Sequence, residues 1–173
     1  MVKALSDIPI TDDIFIDSNV LIHIHGIPLS CASNHFLKQT AYNNAVGTLL
    51  SAGSKPITTW LNVAETLNTH ERHMREIYDK NLSLKAYRRI PTERARVQTE
   101  CARILSEIKA YYTVIPAIPS EPLINQFVTT YTSYTYDSTD FLAVETVLSC
   151  GITNVITDDK DFHNDTRLTT YTY

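Results

Sequence analysis

Short apolar runs alternate along the chain with longer segments in which apolar residues recur at helical spacing. The run at 14–16 is typical of a short buried strand, and further strands are predicted at 56–58, 113–115 and 155–157, with an edge strand within 167–173. Strands that alternate with helices indicate a mostly parallel sheet with helices on both faces. We therefore predict an α/β fold, in the form of a three-layer α/β/α sandwich with a short, mostly parallel central sheet.

Capping residues and glycines mark the helix boundaries. One helix is predicted from Asn19, and another over 35–52 that ends at Gly53, a common helix stop. Thr59 is a candidate N-cap for a helix that runs from Trp60 into the region of Arg75. The remaining helices are predicted at 92–111, at 120–131 and from 137 or 138 to Gly151.

The bulk composition describes an ordinary globular protein. The chain has 173 residues, of which 43% are hydrophobic and 20% charged, and this fits one domain over residues 1–173. No apolar run is long enough to span a bilayer, and the first residues lack the pattern of a secretory signal. Three widely spaced cysteines are typical of reduced thiols. We therefore expect a cytoplasmic protein without a membrane partner.

Charge is unevenly distributed. The net charge of −4 argues weakly against nucleic acid, but ten Lys and Arg stand against six acids between Glu71 and Lys109. One interpretation is that this stretch attracts phosphate groups. The other, at least as common, is an ordinary solvated helix surface with ion pairs between neighbouring side chains. Tyr87 in this stretch is a candidate for stacking on an RNA base. The candidate RNA-binding residues are Lys85, Arg88, Arg89, Arg94 and Arg96.

Carboxylates recur where predicted strands end and where predicted helices begin. They are Asp17, Glu65, Asp140, Asp158, Asp159 and Asp161. A single acid near a helix start usually stabilises the helix dipole, and a single acid after a strand is usually a turn residue, which is the interpretation we keep for Asp158. Ligands of open α/β sheets bind outside the carboxyl ends of the strands. The whole set therefore predicts an acidic group at that edge.

Carboxylates that share a cleft repel each other, by roughly 1 kcal/mol per pair at about 4 Å in water and several-fold more in a less polar cleft. Such a group shares a proton or holds a cation. Oxygen ligands without a thiolate favour Mg²⁺ or Mn²⁺, and Mg²⁺ is commonly completed by substrate phosphates. An incomplete carboxylate cage is therefore a candidate site for phosphoryl chemistry.

Three segments, in this order, resemble the signature segments of the PIN domain. They are FIDSNVLIH (15–23), TTWLNVAETLN (58–68) and DSTDFLAVETVLSCGITNVITDDKDF (137–162). The likeness spans the chain from end to end but rests on a minority of its positions. It implies a metal-dependent endoribonuclease, a class that includes the toxin nucleases of bacterial and archaeal toxin–antitoxin pairs.

Carried over residue by residue, the resemblance implies that four acids bind the metal and carry catalysis: Asp17, Glu65, Asp140 and Asp159. Asp161 matches a second, less strictly required metal-binding acid of the last segment. Thr157 matches a small hydroxyl residue, and Asn19 matches a polar residue. Both would orient the metal ligands or water without binding the metal themselves. The implied cofactor is Mg²⁺ or Mn²⁺.

The resemblance also implies partners. RNA is the implied substrate, and a toxin would have a small antitoxin protein that blocks the acidic cleft, for example by presenting an Arg to it. PIN domains often pair, so a homodimer is an expected assembly. The chain between Glu65 and Asp140 is longer than in compact toxin members, and the extra length falls in a predicted helical insertion near 78–112, whose role stays open.

Two other classes remain open. A haloacid-dehalogenase-like phosphatase would use Asp17 as its nucleophile, but it needs a second Asp two positions later, where this chain has Asn19. A non-catalytic PIN-fold scaffold would bind a protein partner instead of RNA. Four intact acids weigh against the scaffold, because each would cost stability if no cation were bound.

Two pairs of histidines invite a zinc interpretation, His23 with His25 and His70 with His73. The second pair is three positions apart instead of the four of the zinc-binding helix motif. Neither pair has a cysteine near it in the sequence. Within each pair, solvated or partly packed histidines are therefore favoured over metal ligands.

Overall fold

A computed structural model describes residues 1–10, 13–27, 33–133 and 135–173. The strands are β1 (Val2–Ala4), β2 (Ile14–Ile16), β3 (Ile57–Thr59), β4 (Thr113–Ile115), β5 (Asn154–Ile156) and β6 (Thr169–Thr172). They form one sheet in the order β1-β6-β5-β2-β3-β4, and all its pairings are parallel. The predicted α/β fold with a parallel central sheet is confirmed.

Helices connect the strands and cover the sheet. They are α1 (Ser18–His25), α2 (Ser33–Ser51), α3 (Trp60–Asp79), α4 (Leu84–Tyr87), α5 (Pro91–Tyr111), α6 (Glu121–Thr130) and α7 (Ser138–Ser149). A 3-10 turn, Lys160–Asn164, follows β5. Among the described residues, no helix combines the length and the apolar character needed to cross a bilayer.

Two apolar cores lie on opposite faces of the sheet, because successive strand residues point to opposite faces. Ile14 and Ile16 of β2 pack with side chains of α1, α2, α3 and α5, whereas Phe15 packs with side chains of α7. Ile156 and Val155 of β5 divide between the two cores in the same way. The two central strands are therefore buried on both faces, which explains why all of β2 and the last two residues of β5 are apolar.

The predicted helix stops at Gly53 and Gly151 are confirmed. Their φ angles are +82° and +78°, a left-handed conformation that residues with a Cβ adopt with difficulty. The chain then folds back on the helix, and the Ile152 N–H donates to the Val147 carbonyl at 3.0 Å. This places β5 directly after α7 and beside β2.

The strand within 167–173 is not at the edge of the sheet, so that prediction is wrong. Val2 pairs with Thr170, and β1 therefore covers the outer side of β6. The first residues of the chain are exposed and carry no apolar run, so the periodicity gave no sign of this strand.

Asp165 ties the turn after β5 to the rest of the fold. It is 2% exposed, and it accepts hydrogen bonds from the Tyr136 hydroxyl at 2.9 Å and from Arg167 Nη2 at 2.6 Å. Arg167 also donates to Glu145 of α7 at 2.6 Å. Burial raises the pKa of Asp165, but the hydrogen bonds from Arg167 and Tyr136 outweigh it and hold the pKa below its ordinary value of 3.8.

Asp165→Ala is expected to lower the free energy of unfolding by about 2–4 kcal/mol, because it removes a buried carboxylate that accepts hydrogen bonds from both Tyr136 and Arg167. A lowered folded-state pKa contributes stability that is present above the ordinary pKa and is lost as the pH falls below it. Urea unfolding should therefore show a difference from wild type that shrinks below about pH 4. The exposed Asp13→Ala serves as a control, and an equal loss in that variant would contradict the prediction.

Candidate functional site at the carboxyl edge of the sheet

Asp17 lies where β2 ends and α1 begins, and its carboxylate is held on both oxygens. As the N-cap of α1, it accepts a hydrogen bond from the Ser18 N–H at 2.7 Å through Oδ1. Asn62 Nδ2 donates to the same oxygen at 3.2 Å, and the Thr157 hydroxyl donates to Oδ2 at 2.9 Å. The residue is 1% exposed. Its orientation is therefore fixed by the protein itself.

Asn62 is placed by the first turn of α3. Thr59 is the N-cap of this helix, as predicted, and its Oγ1 accepts a hydrogen bond from the Asn62 N–H at 3.2 Å. The Thr59 hydroxyl also donates to Asn62 Oδ1, which leaves the amide nitrogen to face Asp17. The side chain of Asn62 therefore links the end of β3 to the end of β2.

The segment after β5 supplies the other contacts. The hydroxyl oxygen of buried Thr157 accepts a hydrogen bond from the Asp159 N–H at 2.9 Å while it donates to Asp17. Asp159 caps the 3-10 turn by accepting from the Asp161 N–H at 2.9 Å. Asp161 is exposed, and its described hydrogen bonds are made by its backbone. One hydroxyl thus positions two of the predicted acids, with Asp161 at the rim.

Four carboxylates from separate segments influence one another. Burial, opposed by the hydrogen bonds from Thr157 and Ser18 and assisted by Glu65 and Asp159, raises the pKa of Asp17 to about 6. Burial also raises the pKa of Asp140 to about 8, with further contributions from Asp17, then Asp137, Glu65 and Asp159. Coulomb interactions of this kind decline with distance. The structure therefore brings Asp17, Glu65, Asp140 and Asp159 together in one region, which we call the acid group.

The acid group lacks compensating charge. Among the described residues, no Lys, Arg or His forms an ion pair with any of its four members. Glu65 Oε2 is buried, and no hydrogen-bond partner for it occurs in the part of the chain that the structure describes. A buried acceptor without a hydrogen-bond partner lowers the stability of the folded state, so the acid group is suited to bind a cation or a hydrogen-bond donor.

The acid group is not a closed cage. In the described part of the chain, no three His, Cys, Asp or Glu side chains form a group that could hold a metal ion in the arrangement shown. Cavities of about 280 and 320 Å³ lie against α2, and none of the four acids lines either one. The site is therefore a set of neighbouring oxygen donors at the sheet edge.

Asp158 differs from its neighbours because it is fully paired. Lys38 Nζ donates to its two oxygens at 2.9 and 2.7 Å, His23 Nε2 lies 3.1 Å from Oδ2, and the Tyr42 hydroxyl donates to Oδ1 at 3.1 Å. Burial raises the pKa of Asp158, but His23 and Lys38 lower it to about 2. Asp158 therefore anchors the turn after β5 to α1 and α2.

Asn19 and Asn62 differ in their relation to the acid group. The half-buried side chain of Asn19 makes no hydrogen bond to Asp17 among the described residues, so its supporting role stays a prediction. Asn62 makes the contact instead. The sequence signal for Asn62 was a polar position on the Glu65 face of α3.

The basic stretch is partly neutralised. Arg88 forms two hydrogen bonds to Glu71, and Arg96 lies 3.7 Å from Glu93. The other candidates, Lys85, Arg89 and Arg94, are exposed, with no ion pair among the described residues.

The proposed stacking role of Tyr87 is wrong. Its side chain is 1% exposed, and its hydroxyl donates to Glu93 at 3.1 Å. The ring also contacts Tyr78 with 5.7 Å between ring centres. Tyr87 therefore packs α4 against the long helices and presents no face to a base.

Comparison with known proteins identifies no family. No model of a known protein family matches this chain, and no curated protein matches it. The resemblance to PIN domains therefore stays an interpretation of the residues themselves.

Removing the Asp140 carboxyl should stabilise the protein in the absence of divalent ions. Above its raised pKa of about 8 the folded wild type holds a buried charge beside other acids, and below that pKa it must take up a proton on folding. Asp140→Asn is expected to raise the midpoint of thermal unfolding in EDTA by about 2–4 °C, which corresponds to about 1 kcal/mol for a chain of this size. Glu121→Gln is the matched control, since Glu121 is an exposed acid in the first turn of α6. Calorimetry that shows equal or opposite effects would contradict the repulsion in the acid group.

Proposed function

We propose that this protein is an endoribonuclease that hydrolyses RNA phosphodiester bonds with Mg²⁺ or Mn²⁺ at the acid group. The observation that carries the proposal is the mutual electrostatic influence of four carboxylates that have no paired cation among the described residues. A divalent cation removes that repulsion, and hard oxygen donors suit these two ions.

The side chains fit such an ion by their chemistry. Asp17, Glu65, Asp140 and Asp159 would hold it, and the unpartnered Oε2 of Glu65 is a ready ligand atom. Asp161 at the rim is the further candidate. Because no three ligands converge in the arrangement shown, binding requires the side chains to close together. An open, partly filled coordination shell leaves room for water and substrate phosphate.

When bound, the ion supplies a Lewis acid that activates water and offsets charge on the phosphate. The protein's own residues position the acids that would hold the ion. Thr157 and Asn62 hold the two oxygens of Asp17, and Thr157 also fixes the backbone of Asp159. With a pKa raised to about 8 by burial and by Asp17, Asp140 carries a proton at pH 7 in the ion-free protein. Ion binding is therefore coupled to loss of that proton.

The exposed cations of the basic stretch are the proposed RNA contacts outside the acid group. α3 begins next to Asp17 and has 20 residues, so it spans about 30 Å and leads to α4 and α5. A surface depression there is lined by Pro91, Arg94, Ala95 and Gln98. RNA that crosses this distance would contact Arg89 and Arg94 while its scissile phosphate lies at the acid group.

The geometry favours the nuclease over a phosphatase that uses Asp17 as nucleophile. Both oxygens of Asp17 accept hydrogen bonds from the protein, and the side chain is buried. If the protein is a toxin, an antitoxin would inhibit it by placing an Arg in the acid group. A homodimer and a cytoplasmic location remain expectations.

Cleavage should require both the ion and the acids. The wild-type protein is expected to cut single-stranded RNA with Mg²⁺ or Mn²⁺ and to stop in EDTA. Asp17→Asn and Asp140→Asn should each reduce the rate at least about 100-fold, because each removes a carboxylate that would hold the ion. Glu121→Gln should retain the wild-type rate. Turnover of p-nitrophenyl phosphate without RNA cleavage would favour the phosphatase, and full activity of Asp17→Asn would exclude the proposed site.

RNA affinity should depend on the exposed cations and less on the paired ones. Arg89→Ala with Arg94→Ala is expected to weaken binding several-fold in an Asp140→Asn background and to reduce the dependence of log K on log salt by about 0.7 for each lost phosphate contact. Arg88→Ala should have a smaller effect, because that side chain is paired with Glu71. Unchanged affinity and salt dependence in the double variant, measured by fluorescence anisotropy, would contradict this RNA path.

A further inference from the structure

Two histidines from different helices are in ring contact beside the turn after β5, and a third histidine, on α3, is within electrostatic reach of one of them. His23 of α1 and His35 of α2 are in ring contact, with 4.9 Å between ring centres and 48° between ring planes. Burial lowers the pKa of His35, and His23 and His73 of α3 lower it further. His73 is therefore also within electrostatic reach of this pair. We call His23, His35 and His73 the histidine group.

Hydrogen bonds orient two of these rings and leave one nitrogen of each available. His23 Nε2 lies 3.1 Å from Asp158 Oδ2, and His23 Nδ1 is buried and has no hydrogen-bond partner among the residues described. His73 Nδ1 lies 3.2 Å from the Ile27 carbonyl oxygen, to which its N–H donates, so Nε2 keeps the lone pair. An imidazole whose one N–H donates to a carboxylate or a backbone carbonyl is the usual form of a metal-bound histidine.

We propose that His23, His35 and His73 form a second metal site, which binds a transition metal ion of the Zn²⁺ class. Imidazole nitrogens suit Zn²⁺, Co²⁺ and Ni²⁺, whereas Mg²⁺ prefers oxygen. With Zn–N bonds of about 2.0–2.1 Å, two imidazoles on one ion have their ring centres about 5 Å apart, which is the separation of His23 and His35.

The surroundings set two conditions on this site. The charge of nearby Lys38 is offset by its ion pair with Asp158 at 2.7 Å, so the ligands do not face an uncompensated cation. No three-ligand group is formed among the described residues in the arrangement shown, so binding of the ion requires the three side chains to close together. The bound ion would then link α1, α2 and α3. Because His23 also contacts Asp158, the ion would stabilise the turn that contains Asp159.

The inference goes beyond the proposed nuclease and does not depend on it. In a test, the full chain is freed of metal with a chelator and given Mg²⁺ in excess, which fills the acid group. It is then titrated with Co²⁺, whose visible absorption strengthens when protein ligands bind it in a four-coordinate site, and with Zn²⁺ by calorimetry. We expect one Zn²⁺ per chain, a higher midpoint of thermal unfolding with Zn²⁺, and at least about tenfold weaker binding in His35→Ala and in His73→Ala.

Control variants separate this site from the acid group and from loss of folding. His163→Ala removes a histidine outside the histidine group, and Asp140→Asn removes a member of the acid group; both should keep wild-type Zn²⁺ affinity. His35→Cys should restore binding that His35→Ala loses, because a thiolate also binds zinc. The proposal is overturned by absence of a Co²⁺ band in the wild type, by undiminished Zn²⁺ affinity in His35→Ala and His73→Ala, or by loss of binding in Asp140→Asn. RNA cleavage plays no part in these readouts, so the two proposals can fail separately.

Discussion

A carboxylate held at the end of a doubly buried strand is the constraint on which the acidic edge depends. Asp17 follows β2, whose residues are packed on both faces of the sheet, so the strand cannot shift by one position without turning its apolar side chains to the wrong cores. The orientation of the Asp17 carboxylate is fixed as well as its position, because Thr157, Asn62 and Ser18 each donate a hydrogen bond to it. Segments that begin or end beside Asp17 therefore also lie at the carboxyl edge of the sheet.

The same constraint explains why two other segments reach this point. β5 pairs with β2 in parallel register, Ile16 beside Ile156, so the residues after the two strands emerge side by side. β3 flanks β2 on its other side, and α3 therefore starts next to Asp17. The positions of Thr157, Asp159 and Glu65 follow from strand order, even though nearly the whole chain separates the first acid from the last.

Much of this order could be predicted from the sequence, because it depends on signals that act locally. Apolar runs located β2 through β5, and Thr59, Gly53 and Gly151 marked helix ends through their own backbone preferences. Strand ends in a parallel sheet then located the acids. β1 carried no such signal, since its residues are exposed and its only support is pairing with β6.

Local sequence signals, such as apolar runs and capping residues, do not indicate contacts between distant segments. Asp158 seemed an ordinary turn residue because its partners, Lys38 and His23, lie 120 and 135 positions away. The burial of Tyr87 likewise depends on how α4 lies against α3, which residue spacing does not encode. Sequence spacing pairs His23 with His25, whereas in the fold the His23 ring contacts His35 of another helix.

Stability is distributed unevenly between the two faces of the sheet. α6 has no buried residue, and its partly buried Phe127 packs against the core, while Ile124 and Val128 are 39% and 66% exposed. Few buried contacts mean that a helix opens at a free energy well below that of global unfolding. Backbone amides of α6 should therefore exchange with solvent earlier than those of β2 and β5. Since α6 precedes the segment that leads into α7, its opening would loosen the approach to Asp140 while the central strands stay closed.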